Sequence, residues 1–298
     1  MCFMKVPSRD SDQPLLASPL WTHSLRVLLI QARSAPRMIE QEQECFSERC
    51  RLPRDRFRIL NVVEGDVPTL AHLDGIDAII IGGAGAYSAA DDYEWTPDLL
   101  DFVRHIVDRE LPLFGSCWGH QVIARALGGR VEYAPEHSEL GCGSVRLTDA
   151  GLNDPLFHRF PSPFKANMGH HDRVVELPDR AVELASNTIP YQAFRIEGLP
   201  IYGTQFHSEL DATRERERIL VYRKHYRDAL PDEETVQYVL DDLADTTEVD
   251  HLLYDFLTTF VARGRPLDER PPAVPTALQT SPATADDLAP SARRLPGR

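Results

Sequence analysis

Short, densely apolar runs recur along the first half of the chain, separated by stretches whose apolar residues follow a helical spacing. Residues 25–31 (LRVLLIQ), 57–63 (FRILNVV), 78–82 (AIIIG) and 113–115 are such runs. Val, Ile and Leu in series, without polar alternation, predict strands covered on both faces, as in parallel sheets. Residues 38–51 and 96–110 read instead as amphipathic helices. In the second, Leu99, Phe102, Val103, Ile106 and Val107 share one face, with Thr96 as the expected N-cap and Pro97 at the first helical position. This alternation predicts an α/β domain built on an open, mostly parallel sheet with helices on both faces.

From 131 to 204 the pattern changes to closely spaced short strands, among them GSVRLT, VVELP and YQAFRI. They predict a small antiparallel excursion of the same domain. A charged helical stretch follows (DATRERERILVYRKHY), then an acidic run at 240–250 that reads as a solvated loop. Next comes HLLYDFLTTFVAR, an amphipathic helix expected to dock on the sheet. The domain is expected at 25–262, after an irregular segment 1–24 and before a Pro- and Ala-rich tail, 263–298, expected to be disordered.

Charge narrows the partners. Thirty-two Lys and Arg against 46 Asp and Glu leave a formal charge of -14 over 298 residues, which argues against a nucleic-acid or anionic-membrane surface. No run approaches the roughly 18 apolar residues of a membrane span, and the start lacks a secretory signal, so a cytoplasmic location is expected. The five cysteines form no CxxC pair, which disfavours a disulfide framework or a zinc cage. Cys45 and Cys50 read as packing residues and Cys142 as structural. Residues 38–46 could be a lid or a surface helix.

Cys117 is different. It sits in GSCWG, after the apolar run LPLF and before the helical HQVIARALGG. This G-x-C-x-G pattern is the cysteine form of a nucleophile elbow: small residues two before and two after let a sharp strand-to-helix turn form. The helix N-terminus favours the thiolate, and the Trp118 backbone N–H is one candidate oxyanion donor. A lone buried cysteine is the plainer alternative.

A thiolate nucleophile needs a base. In TQFHSE, His207 and Glu209 are two apart and so share a face if the segment is extended. Glu209 would then orient the imidazole that exchanges a proton with Cys117. The strand entering Gly82 and Gly83 offers backbone N–H groups for an oxyanion, although a plain turn would read the same way.

Taken in order, GGAG, GSCWGHQ, ANMGHHDRV and GTQFHSE resemble the motifs of the class I (triad-type) glutamine amidotransferases, in particular the amidotransferase domain of GMP synthase. The resemblance runs from about 25 to 210 and more loosely to about 260. It implies a flavodoxin-like α/β fold, with Cys117 as nucleophile, His207 as general base and acid, and Glu209 as its orienter. It implies oxyanion donors at Gly83 and Trp118. It also implies contacts to the amino-acid end of glutamine from Gln121, Gly169, His170, His171 and Asp172. No metal or organic cofactor is implied. Two positions depart from the family pattern: Ser208 stands where a proline is usual, and His171 where a glycine is usual.

The implied reaction is hydrolysis of the glutamine side-chain amide through a γ-glutamyl thioester, releasing ammonia. No S-G-G-x-D-S loop of an ATP-pyrophosphatase module occurs, so if the ammonia is used rather than released, a separate synthase subunit is expected to accept it. Two alternatives stay open, a γ-glutamyl peptidase or hydrolase and a non-catalytic regulatory subunit of the same fold. A metal site at His170, His171, Asp172 and His207 is disfavoured, because adjacent residues of a strand point to opposite faces.

Overall fold

The structure, a computed structural model, describes residues 24–262. Apart from Ser24, the expected N-terminal segment and the Pro- and Ala-rich tail lie outside the described residues.

The chain runs β1 (Val27–Gln31), α1 (Pro36–Cys50), β2 (Phe57–Asn61), β3 (Ala78–Ile81), α2 (Thr96–Asp108), β4 (Leu113–Ser116), α3 (Trp118–Ala126), β5 (Arg130–Tyr133) and β6 (Glu139–Leu147). It continues through α4 (Asp149–Leu152), β7 (Phe164–His170), β8 (Asp172–Glu176), β9 (Ala181–Ser186), β10 (Ala193–Ile196), β11 (Ile201–Thr204), α5 (Ala212–Tyr222), α6 (Glu233–Asp242) and α7 (Leu252–Phe260). Nine strands form one sheet in the order β2-β1-β3-β4-β11-β10-β9-β6-β7. The first five are mutually parallel, and the sheet continues antiparallel from β11 outward. β5 and β8 pair separately as an antiparallel ribbon.

The apolar runs explain the layering. Every residue of β1, β3, β4 and β11 is buried. Side chains alternate across a strand, so Val27, Leu29, Ile80 and Phe114 pack on one face against Phe46 of α1 and Phe256 of α7. Leu28, Ile30, Ile79, Ile81 and Leu113 pack on the other against Leu99 and Phe102 of α2 and Val122 and Ile123 of α3. Cys45 and Cys50 are both fully buried, Cys50 within the first of these clusters.

Three local expectations change. Thr96 is the first residue of α2 rather than its cap; its Oγ1 accepts the Tyr93 N–H at 2.9 Å, which ties the entry turn together. A helix, α6, occupies 233–242, where no helix was expected; its Val236, Val239 and Leu240 pack on Ile219 and Leu230 in a third apolar cluster. The acidic run at 240–250 is therefore not a solvated loop throughout. It begins inside α6, buries Val249, and holds the sheet edge through Asp242 Oδ2, which accepts the Cys142 N–H (3.2 Å), and Glu248 Oε2, which accepts the Lys165 N–H (2.7 Å).

Neighbouring strands β3, β4 and β11 end level with one another: Ile81 pairs with Gly115 and Ser116 with Thr204. The loops leaving their carboxyl ends, which carry Gly83, Cys117 and His207, are thereby brought side by side. This is where open α/β sheets form their ligand crevices.

Candidate active site

Cys117 is the hinge between β4 and α3, with φ 51° and ψ −99°, a left-handed backbone that non-glycine residues seldom adopt. Its N–H donates to Thr204 O at 2.7 Å, which fastens the turn to β11. The flanking glycines are required by space. A Cβ on Gly119 would lie 2.2 Å from Ile81 O, and one on Gly115 would lie 2.5 Å from the Gly119 carbonyl carbon. The helix start thus presses directly on β3, and Gly119 N–H donates to Gly82 O at 3.1 Å.

His207 reaches this turn from the chain beyond β11, where its N–H donates to Asn167 O at 3.0 Å. Its Nδ1 lies 2.7 Å from Glu209 Oε1. Glu209 is fully buried and accepts two further hydrogen bonds, from Ser116 Oγ at 2.9 Å and from Arg218 Nη1 at 3.3 Å. Burial acts to lower the imidazole pKa, but the charges of Glu209 and Cys117 and the hydrogen bonds to both raise it well above its ordinary value. Burial likewise opposes ionisation of Glu209, yet His207 and Arg218 hold its carboxyl well below the usual range. Both shifts favour an imidazolium paired with the Glu209 carboxylate. Gln205 Nε2 donates to the Cys117 sulfur at 3.6 Å.

The expected oxyanion donors differ from each other. Gly83 N–H does not face Cys117; it donates to Oε1 of Glu42 at 3.1 Å. Glu42 arrives from α1, fully buried, where it also meets Arg33 Nη2 at 2.8 Å and Gln31 Nε2 at 2.8 Å. Residues 38–46 are therefore not a lid but a surface helix, exposed at Glu40, whose buried face supports the site through Gln41, Glu42 and Cys45. Trp118 N–H, in the first turn of α3, has no acceptor among the described residues.

Gln121, His170, His171, Asp172 and Gly169 line a cavity of about 170 Å³ that opens beside Cys117. Gln121 Nε2 is held by Asp172 O (2.7 Å) and Gln205 Oε1 (2.9 Å). Asp172 Oδ2 accepts the Ala89 N–H at 2.7 Å, and burial raises its carboxyl. His170 turns inward to Glu139, at 3.1 Å, while His171 meets Ser138 Oγ and lies over Tyr226. Burial, with His170 beside it, lowers the His171 pKa to about 4. The two histidines diverge: His170 ends β7, and His171 sits at the bend before β8.

Several residues around the site carried no readable signal. Arg33, Glu215, Arg218, Tyr222 and Tyr226 line the space beside Cys117 and His207, and Glu42 braces it through Arg33 and Gly83. Glu215 and Arg218 belong to a sequence (TRERERI) whose charges suggest only a solvated helix face. Gln205 lies inside the GTQFHSE stretch, but nothing in its spacing marks it as a neighbour of the thiol.

A family model described as glutamine amidotransferase class-I matches residues 55–223, which include Cys117, His207 and Glu209. One subunit of a glutamine-hydrolyzing GMP synthase, from Pyrococcus abyssi, is 32% identical over 165 residues, 55% of this chain and 85% of that protein. The glutamine-hydrolyzing GMP synthase of Thermosipho africanus is 35% identical over 144 residues, 48% of this chain, yet the match spans only 26% of that protein's length. Gamma-glutamyl peptidase 4 of Arabidopsis thaliana is 32% identical over 137 residues, 45% of this chain and 53% of its own. Among solved structures, a glutamine amidotransferase from Thermotoga maritima superposes with a TM-score of 0.62, covering 80% of this chain and 99% of that one at 23% identity, a likeness of fold.

Proposed function

Because the chain belongs to the class-I glutamine amidotransferase family, we propose that it hydrolyses the side-chain amide of glutamine with Cys117, His207 and Glu209. The observation that carries this reading is the hydrogen-bonded series in which Glu209 holds His207 and His207 faces the thiol at a strained elbow.

In the proposed reaction the Cys117 sulfur attacks the amide carbon and the C–N bond breaks. His207 supplies the proton that lets ammonia leave. Water then attacks the γ-glutamyl thioester, His207 takes its proton, and glutamate departs. Trp118 N–H stabilises the tetrahedral oxyanion, a role supported by its lack of another acceptor among the described residues. Gly83 can join it only after leaving Glu42. Glutamine's amino-acid end would occupy the cavity lined by Gln121, Gly169, His170, His171 and Asp172. Because the Pyrococcus abyssi relative is by name one subunit of GMP synthase, a separate synthase chain that accepts the ammonia is part of the proposal.

The test is release of glutamate and ammonia from glutamine by the purified chain, with Cys117→Ser as the blank. Absence of both, alone and in extract, would remove the reading. A second reading, γ-glutamyl peptidase activity, draws on the Arabidopsis relative. It predicts that a γ-glutamyl dipeptide is cleaved faster than glutamine.

A further inference from the structure

Two cavities meet at Cys117. The larger is the one lined by Gln121 and Asp172; the smaller, about 30 Å³, lies on the His207 side and is lined by Arg33, Glu215, Arg218, Tyr222 and Tyr226. The smaller space has room for a molecule or two the size of water or ammonia, and for nothing as large as an amino acid.

Arg33 Nε and Arg218 Nη2 in the smaller cavity lack hydrogen bonds among the described residues, but both arginines have ion-pair partners; one carboxyl there has none. Glu42 and Glu209 are each held by arginines. Glu215, on the inward face of α5 and 2% exposed, has no ion pair, and its buried Oε2 has no hydrogen bond among the described residues. Its Oε1 approaches so near that a Cβ added to Gly169 would lie 2.8 Å from it, and the same point is 4.0 Å from His207 Nε2. The carboxyl and the imidazole nitrogen that serves Cys117 therefore border one small space. A buried carboxyl without a partner is costly, and in a native structure it calls for a ligand or a role.

We propose that Glu215 and His207 form the site that holds the released ammonia, as ammonium, and then the water that replaces it. This rests on the glutamine-hydrolysing reading. If the amino-acid end of the substrate fills the larger cavity, the leaving nitrogen must lie on the His207 side, since His207 protonates it. When the C–N bond breaks, the nitrogen carries its own two protons and one from His207. A further proton taken up from solvent makes ammonium, which donates to Glu215. After exchange, water donates one hydrogen to Glu215 and gives the other proton to His207 as its oxygen bonds to the thioester carbon. The proton returns to sulfur as the C–S bond breaks.

The experiment follows ¹⁵N-ammonium into the amide of unreacted glutamine during turnover by the full chain. The quantity read is the ratio of labelled glutamine to glutamate formed, which does not depend on how much of a preparation is folded. Ammonium carries a charge that water lacks, so Glu215→Gln should weaken its hold on ammonium more than on water and lower that ratio about tenfold; labelling by a glutamine-analogue electrophile reports separately whether Cys117 still reacts. Glu215→Ala is the second variant, with the same expectation. An unchanged ratio in an active variant, or wild-type hydrolysis with no exchange, overturns the ammonium site and leaves glutamine hydrolysis standing. Absence of both hydrolysis and labelling in the wild type overturns the underlying reading, and the site with it.

Discussion

The Gly83 N–H donates to the Glu42 carboxylate at 3.1 Å, and that carboxylate is also the partner of Arg33 at 2.8 Å. Glu42 thus neutralises a buried guanidinium and fixes the backbone of the loop after β3. Removing it as Glu42→Ala leaves Arg33 buried and unpaired, at an expected loss of about 3–5 kcal/mol. The measurement is urea denaturation. A further Arg33→Met substitution should recover much of the loss, whereas additive losses would mean that the pair does not act as a unit.

Removing the sulfur should end the chemistry and spare the fold. Cys117→Ser and Cys117→Ala are expected to release no glutamate above the blank, with unchanged circular dichroism. Substitution of Cys142, half-buried on β6, should leave turnover intact.

Strain at the elbow gives a stability signature. With φ 51° at Cys117, Cys117→Gly should be more stable than Cys117→Ala by about 1 kcal/mol, since glycine accepts the left-handed region without a Cβ clash and loses only part of that gain to chain entropy. Gly119→Ala, by contrast, drives a Cβ against Ile81 O, and should cost at least about 2 kcal/mol. Thermal melts of the three variants decide both.

Glu209 and His207 should separate kinetically. His207→Ala removes the proton carrier, whereas Glu209→Gln keeps an oriented imidazole but lacks the charge that stabilises it. The expected fall in kcat is about tenfold or more smaller for Glu209→Gln. Equal losses would indicate that Glu209 does more than hold the ring, or that both variants collapse the network with Ser116 and Arg218.

Acid should destabilise the fold through buried histidines. Burial lowers His120 to about 3, and burial with a nearby His170 lowers His171 to about 4. The unfolded chain therefore binds more protons than the folded one from about pH 6.5 downward, and stability falls as pH drops through that window. Each histidine contributes a slope of up to about 1.4 kcal/mol per pH unit. His120→Leu should flatten the profile by about one such slope; an unchanged profile would show that His120 is protonated in the fold. His207 acts with the opposite sign: its raised pKa contributes stability present below pH 6.5 and lost as pH rises through the folded value.

Periodicity and close steric demands were legible in the sequence; convergence at a distance was not. The strands β1, β3 and β4 are continuous apolar runs because both of their faces are covered, and this requirement is written into each residue in turn. The GSCWG turn is readable for a similar reason, since Gly115 and Gly119 answer contacts within a few residues or with one adjacent strand. His207 and Glu209 could be placed on one face from a spacing of two. Their meeting with Cys117, however, depends on β11 lying beside β4, a pairing across about ninety residues. The same holds for Glu42, Arg218 and Glu215. In sequence each is one charge among many on a helix, and only packing against the sheet makes it buried. Burial then decides its role, because a charge that water would screen must instead find a partner inside: Arg33 for Glu42 and Glu209 for Arg218. Which way Gly83 N–H faces was likewise settled by that packing, for a peptide group turns toward whichever acceptor the tertiary structure brings closest.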